Sequence, residues 1–167
     1  MNRFTAALVA LVLATTVVAV HGVRAADAVT GPARVIDGDT IVVADVHLRI
    51  FGIDAPESRQ TCTSGDGHDY FCGRVATSAL AEKIAGRPVT CRPRTTDHYG
   101  RTVAVCFDAG DEDLGAWLVR AGLAIAYRKY STVYVDDEDT ARRARRGLWG
   151  GAFVEPSQWR AAHAHAQ

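Results

Sequence analysis

The stretch Val35–Glu57, VIDGDTIVVADVHLRIFGIDAPE, concentrates residues that could do chemistry. Asp39 opens a strand-like run, Arg49 sits inside another among apolar neighbours, and Asp54 and Glu57 flank its exit. Ionised carboxylates are hard oxygen donors for a divalent cation, and an arginine presents a planar fork that grips phosphate oxygens. Strand interiors rarely hold an arginine unless it faces a cleft or a partner. Three carboxylates and an arginine meeting at neighbouring strand ends would make an oxygen-rich metal site beside a phosphate clamp. The plainer alternative is a DGD turn, a surface arginine and a Pro-Glu loop.

The elements that must position these groups follow from the pattern. Apolar and polar residues alternate through Thr40–Ala44 and Val46–Ile53, the period of half-buried strands. Asp37-Gly38-Asp39 is a turn, Asp45 marks a second turn, and Ala55-Pro56 ends the ladder. The expectation is a three-stranded antiparallel meander.

Three blocks then carry a resemblance: VIDGDT, LRIFGIDAPE and, further on, DHYGRTVAV at Asp97–Val105. Their residues, order and spacing resemble the signature blocks of the staphylococcal nuclease (thermonuclease-like) family, over about Ala33 to Trp149.

Ahead of that region, Met1-Asn2-Arg3 is basic, Phe4–Val20 is apolar and uncharged, and Val23-Arg24-Ala25 resembles a cleavage site. Residues 1–25 therefore read as a secretory signal peptide, with residues 26–32 a short leader before the domain. A retained membrane anchor is the alternative, but the run is short for a span. Cleavage would remove Arg3 and Arg24 and no acid, leaving 17 basic against 19 acidic residues, a net charge of −2. Such a protein does not coat nucleic acid by bulk charge. Polyanion binding would rest on local arginines and a bound cation.

An even set of four cysteines, Cys62, Cys72, Cys91 and Cys106, reads as two disulfides in an exported chain, and three pairings are open. Zinc is disfavoured, since no C-x-x-C spacing occurs. Pro88–Arg92 and Thr102–Phe107 read as strands joined through Asp97-His98-Tyr99-Gly100. A two-residue loop at His98-Tyr99 would set Cys91 opposite Cys106, although a bulge at Gly100 would shift that register by one. This favours Cys91–Cys106 and leaves Cys62–Cys72 to staple the polar segment Ser58–Phe71, which lacks any apolar period and reads as a solvated loop, His68 and Asp69 included.

Arg74–Ala85 reads as a helix with Val75, Ala79, Leu80 and Ile84 on its buried face and Gly86 as its stop. A second helix spans Leu114–Ala121, N-capped by Asp113. A third covers Val135–Arg146, with acids in its first turn and arginines in its last, the order that suits the helix dipole. Its arginines read as a solvated end more economically than as a nucleic-acid patch. Residues 151–167 form a tail, helical over Pro156–Ala166, whose His163 and His165 point apart and receive no metal. The order of strands and helices over residues 33–150 matches an α+β domain: a five-stranded OB-type Greek-key β-barrel with three packed helices, closed to hide its edges. The resemblance implies the same fold.

The resemblance also implies roles. Residues matching Arg49, Glu57 and Arg101 form the family's catalytic set, and those matching Asp39, Asp54 and Ala55 hold Ca²⁺, Ala55 through its carbonyl. Asp37 matches an acid that tunes the site. Tyr99 and Tyr127 resemble residues lining the nucleotide pocket, though either could be ordinary packing. Where the best-known member has threonine and lysine, this chain has Ala55 and His98. The chemistry is coherent: the arginines neutralise a phosphodiester and Glu57 accepts a proton from water. The expectation is a monomeric, secreted or periplasmic calcium-dependent nuclease acting on DNA and RNA, with no membrane association after signal cleavage. The alternative is a non-catalytic OB-type nucleic-acid-binding module; the resemblance implies that such members have lost the arginines or the glutamate, whereas Arg49, Glu57 and Arg101 are all present here.

Overall fold

The computed structural model describes residues 27–164. The expected signal peptide and His165 lie outside the described residues. The strands and helices run in the order β1 (Val29–Gly31), β2 (Ala33–Val35), β3 (Thr40–Val43), β4 (Val46–Ile50), β5 (Ile53–Asp54), β6 (Thr61–Thr63), β7 (Asp69–Phe71), α1 (Cys72–Ile84), β8 (Val89–Thr96), β9 (Thr102–Phe107), α2 (Leu114–Arg120), β10 (Ile125–Ala126), α3 (Val135–Arg143), a 3₁₀ turn (Gly147–Gly150) and α4 (Pro156–His163).

Six strands form the main sheet in the order β1-β8-β9-β4-β3-β2. All its neighbours are antiparallel except β4 and β9, which are parallel. The ladder does not close, because β1 and β2 are its two edges and do not pair with one another. They are nevertheless consecutive in the chain, separated by Pro32, so the sheet curls until both edges belong to one bent segment. Pro32 supplies the bend without forfeiting a ladder hydrogen bond. The architecture is α+β and consistent with an OB-type barrel. Its apolar interior includes Ile41, Leu48 and Ile50 from the sheet, Leu80 from α1, and Leu114 and Leu118 from α2.

Local chemistry explains the turns. The Asp37 side chain accepts the Asp39 N–H at 3.0 Å, an Asx turn that launches β3. Val43 faces Val46 across a two-residue loop in which Ala44 and Asp45 both have positive φ, the type I′ geometry that matches strand twist. At the β8–β9 connection the loop has three residues rather than two, since Asp97 N–H bonds Arg101 O. The resulting shift is undone by a bulge between Pro93 and Thr95, which brings Cys91 opposite Cys106 again. A proline beside a bulge is favourable, because it has no N–H for the ladder.

Beyond the open ladder and the longer β8–β9 loop, three further sequence expectations change. The third meander strand breaks at Gly52, which has φ of +74° and where a Cβ would come within 3.0 Å of the Tyr134 ring. The chain turns there, and β5 leaves the main sheet to pair with β10. The segment Ser58–Phe71 is not a solvated loop throughout; it contains the β6–β7 hairpin, joined to α1 by the Cys62–Cys72 disulfide. Finally, α1 begins at Cys72, and its buried line is Cys72, Ala76, Leu80 and Ile84, while Val75 is 46% exposed. The disulfide fixes the helix phase, and the buried stripe follows from it at i+4 spacing.

Candidate active site

One cleft of about 640 Å³ gathers most of the singled-out residues: Asp37, Asp39, Arg49, Ala55, Glu57, Tyr99, Arg101 and Tyr127 all line it. Asp54 lies just beneath, fully buried.

The strands deliver these groups in register. Thr40 faces Arg49 across β3–β4, so Asp39 at the head of β3 meets the Arg49 side chain. Arg49 Nη2 bonds Asp39 Oδ2 at 2.8 Å and Asp54 Oδ1 at 3.1 Å. The Ala55 N–H donates to Asp39 Oδ2 at 3.1 Å, tying the exit of β5 to the start of β3. Asp54 is held by its strand, as Ile125 of β10 faces it. That strand is in turn fixed by the buried Glu138 of α3, whose Oε1 accepts the Ala126 N–H at 3.0 Å and whose Oε2 pairs with Arg128. Glu57 follows Pro56 on a loop pressed against the first turn of α1. A Cβ on Gly73 would fall 2.0 Å from the Glu57 carbonyl oxygen, so only glycine permits this approach.

The electrostatics of the acid pair are unusual. Burial pushes the Asp39 carboxyl up to about 7 despite Arg49, with Asp37 and Asp54 adding to the rise. Burial also raises Asp54, against the pull of Arg160 and Arg49. In both, loss of water is the larger cause and the arginines offset it only in part. Among the described residues no three His, Cys, Asp or Glu side chains cluster as a metal site. The oxygens of Asp39 and Asp54 are instead met by Thr40, Arg49, the Ala55 N–H and Arg160.

The opposite wall comes from the β8–β9 turn. Arg101 Nε bonds Asp97 Oδ2 at 2.7 Å, and Asp97 Oδ1 accepts the N–H groups of Tyr99 and Arg101. This consumes one face of the Arg101 guanidinium. Its terminal Nη groups have no hydrogen bond or ion pair among the described residues. Tyr99 is 74% exposed and stands 5.5 Å from the Arg101 guanidinium. Tyr127 is half-buried and meets Tyr130 edge-on at 4.8 Å.

Sequence reasoning missed Arg160. It lies on α4, yet its Nη1 bonds Glu57 Oε1 at 2.9 Å and its Nη2 bonds Asp54 Oδ1 at 3.0 Å. No motif or spacing marks it; the only signal is Pro156, which starts the helix that carries it. Lys129, Tyr130 and Thr95 also line the cleft, and no sequence pattern pointed to them.

With this geometry in view, comparisons place the chain. Residues 47–151 match the family described as staphylococcal nuclease homologue. The succinoglycan biosynthesis protein ExoI of Rhizobium meliloti (strain 1021) is 38% identical over 131 residues, 77% of this chain and 69% of that protein. An uncharacterized endonuclease of Escherichia coli O157:H7 is 37% identical over 134 residues, 76% of this chain and 81% of that protein. A micrococcal nuclease of Shigella flexneri is 34% identical over 150 residues, 80% of each chain. Match and cleft together identify the chain as a member of the staphylococcal nuclease family.

Proposed function

We infer that this protein is an exported, monomeric, calcium-dependent nuclease that hydrolyses phosphodiester bonds in DNA and RNA. The observation that carries the reading is the cleft in which Arg49, Glu57 and Arg101 converge above Asp39 and Asp54, in a chain whose relatives include an endonuclease and a micrococcal nuclease. The chain is a phosphodiester hydrolase by family, and export agrees with two disulfides, Cys62–Cys72 and Cys91–Cys106. Among the described residues no helix is long and apolar enough to cross a membrane.

A phosphodiester is a charged electrophile, and attack needs its oxygens neutralised and a water activated. Asp39, Asp54 and the Ala55 carbonyl would hold calcium, which when bound supplies Lewis-acid neutralisation of a phosphate oxygen. Arg49, anchored through one nitrogen, retains others to offer the phosphate. Arg101, which lines the cleft and is fixed by Asp97 through Nε, has terminal nitrogens to offer and stabilises charge that develops in the transition state. Glu57 takes the proton of the attacking water. Tyr99 and Tyr127 offer ring faces on which a base can stack. A few ligands from one protein give a weak site without substrate, with Kd on the order of 10⁻⁴–10⁻³ M.

The test is digestion of plasmid and total RNA by the mature protein with calcium, with magnesium and with excess chelator. Cleavage of both substrates in calcium alone is expected. Full activity in chelator, or magnesium equal to calcium, overturns the metal assignment. Binding of nucleic acid without cleavage would make the protein a non-catalytic module of the same fold.

A further inference from the structure

We propose that Arg160 is a positioning residue for Glu57: a tail-borne guanidinium that fixes the orientation of the proton-accepting carboxylate. The proposal rests on Glu57 acting as the base. Among the described residues Glu57 has one side-chain partner, the Nη1 of Arg160, on Oε1 at 2.9 Å. Oε2 is left to accept a proton. A carboxylate on a loop samples several rotamers, and a base that wanders loses near-attack geometry. A base oriented by a third group is the recurring solution.

The guanidinium is itself anchored. Its Nη2 bonds both oxygens of the fully buried Asp54, at 3.0 and 3.1 Å, so the fork is bound at both ends. A planar guanidinium held by two carboxylates through its two terminal nitrogens has its direction as well as its distance set. The backbone is tied in the same way. Gln60, which is 0% exposed, presents its Oε1 to the Glu57 N–H at 3.3 Å and donates from Nε2 to the Val154 carbonyl at 2.7 Å. One buried side chain thus spans the base loop and the lead-in to α4. A second link is the backbone exchange between Thr63 and Ala152, at 2.8 and 2.9 Å. Ala152 lies beside Gly151, and Thr63 follows Cys62 of the stapled hairpin. The tail is therefore docked at two points before it reaches the cleft, and Arg160 arrives there by construction. Arg160 and Val154 lie outside the matched residues 47–151.

A phosphate contact would predict different behaviour from a positioning contact, and kinetics separates them. Arg160→Ala and Arg160→Lys should be compared with wild type in kcat and KM on a defined oligonucleotide. Arg160→Ala removes a partner of the buried Asp54 and should melt below wild type, and Arg160→Lys, which keeps the charge, should melt closer to it, so the rates are read at a temperature where all three proteins are folded. Arg160→Ala should lower kcat by about 10–100-fold, the range for partners that orient a functional group, with KM within about twofold. Arg160→Lys keeps the charge but loses the fork, so it should recover only part of the loss. Added guanidinium ion should restore part of the Arg160→Ala rate and none of the Arg160→Lys deficit. At saturating calcium, where a change in metal affinity through Asp54 is offset, Arg160→Ala should cost nothing more in a Glu57→Gln background, since it acts through Glu57. Wild-type kcat in Arg160→Ala, a raised KM with unchanged kcat, or losses that multiply with Glu57→Gln would each overturn the proposal. A wild-type protein that cuts no nucleic acid would fail the nuclease reading itself, before any variant is compared.

Discussion

Two groups of carboxylates lie in this protein, and their surroundings treat them in opposite ways. Away from the cleft, Asp108 is almost fully buried, and burial alone would raise it. The N–H groups of Glu112 and Gly110 and the Lys83 ammonium outweigh that and hold it below the usual carboxylate range. Glu112 continues the network to Arg120 at 2.7 Å. In the cleft, Asp39 has the Ala55 N–H and Arg49, yet burial and its acidic neighbours win and push it up to about 7. The first cluster is electrostatically complete and serves the fold. The second keeps carboxyls raised by burial in an open cleft, the kind of perturbation that marks a candidate functional site.

The sharpest way to break this comparison is to alter chemistry without altering packing. Glu57→Gln keeps size and most hydrogen bonds but cannot take a proton. Single-turnover cleavage should slow by about 10²–10⁴, the range for a lost general base. Its melting temperature should stay near wild type, because Glu57 lies on a partly exposed loop. A folded, calcium-binding Glu57→Gln protein that cuts at the wild-type rate removes Glu57 from the mechanism.

Next come the two arginines, whose settings differ as the clusters do. Arg49→Ala and Arg101→Ala should each slow cleavage by roughly 10²–10³ through lost transition-state stabilisation. Stability should separate them. Arg49 serves two buried carboxylates, so its loss should destabilise by roughly 3–5 kcal/mol in the absence of metal, as when a buried pair is broken. Arg101 pairs with Asp97 at a partly exposed turn, and that pair is worth no more than about 1 kcal/mol. Urea titrations in chelator read both; equal losses would mean that the buried acids do not need Arg49.

Legibility in the sequence follows the same division. Asp39, Arg49, Asp54 and Glu57 share one local stretch whose pattern allowed either a site or a plain turn and loop, and the resemblance carried by three motif blocks singled them out together with Arg101. The break at Gly52 could not be read from alternation, because it depends on the Tyr134 ring arriving from a distant segment. The β6–β7 hairpin was hidden by a polar composition; its pairing is enforced by a disulfide and by Ala152 rather than by an apolar face. Arg160 was hidden for the same reason, since a single arginine in a tail carries no period, and only tertiary docking gives it a partner.

The disulfides bear on that docking. Each should contribute roughly 2–4 kcal/mol. Their effects on activity should diverge, because Cys62–Cys72 joins the hairpin that anchors the tail to the helix that presses on Glu57, whereas Cys91–Cys106 lies in the barrel core. Replacing Cys62 and Cys72 together by alanine should lower kcat at temperatures where the protein stays folded; replacing Cys91 and Cys106 should lower the melting temperature with kcat nearly kept. The reverse pattern would place the functional staple in the core.

The smallest expected effect is the most direct test of the opposed clusters. For Asp39 the folded carboxyl titrates above its ordinary value of 3.8, so between about 4 and 7 the folded chain holds a proton that the unfolded chain has released. Stability of the metal-free protein should therefore fall as pH rises through that window. For Asp108 the folded value lies below the ordinary one, so its contribution is present above the ordinary range and is lost as pH falls through the lower value. Metal-free melting temperature should peak in mildly acid solution and decline on both sides. Calcium at about 100 times its Kd should add about 2.7 kcal/mol on the neutral side, where Asp39 has lost its proton, and less on the acid side, where the cation must displace it. Lys83→Met removes a cation that holds Asp108 low, so it should make the acid loss shallower. It should leave both the calcium response and the cleavage rate within about twofold of wild type, since its partners Asp108 and Glu112 lie outside the cleft. Differential scanning fluorimetry across pH, in chelator and in calcium, reads the stability arms. A calcium response that is equal at acid and neutral pH would show that the buried acid pair is not where the cation binds.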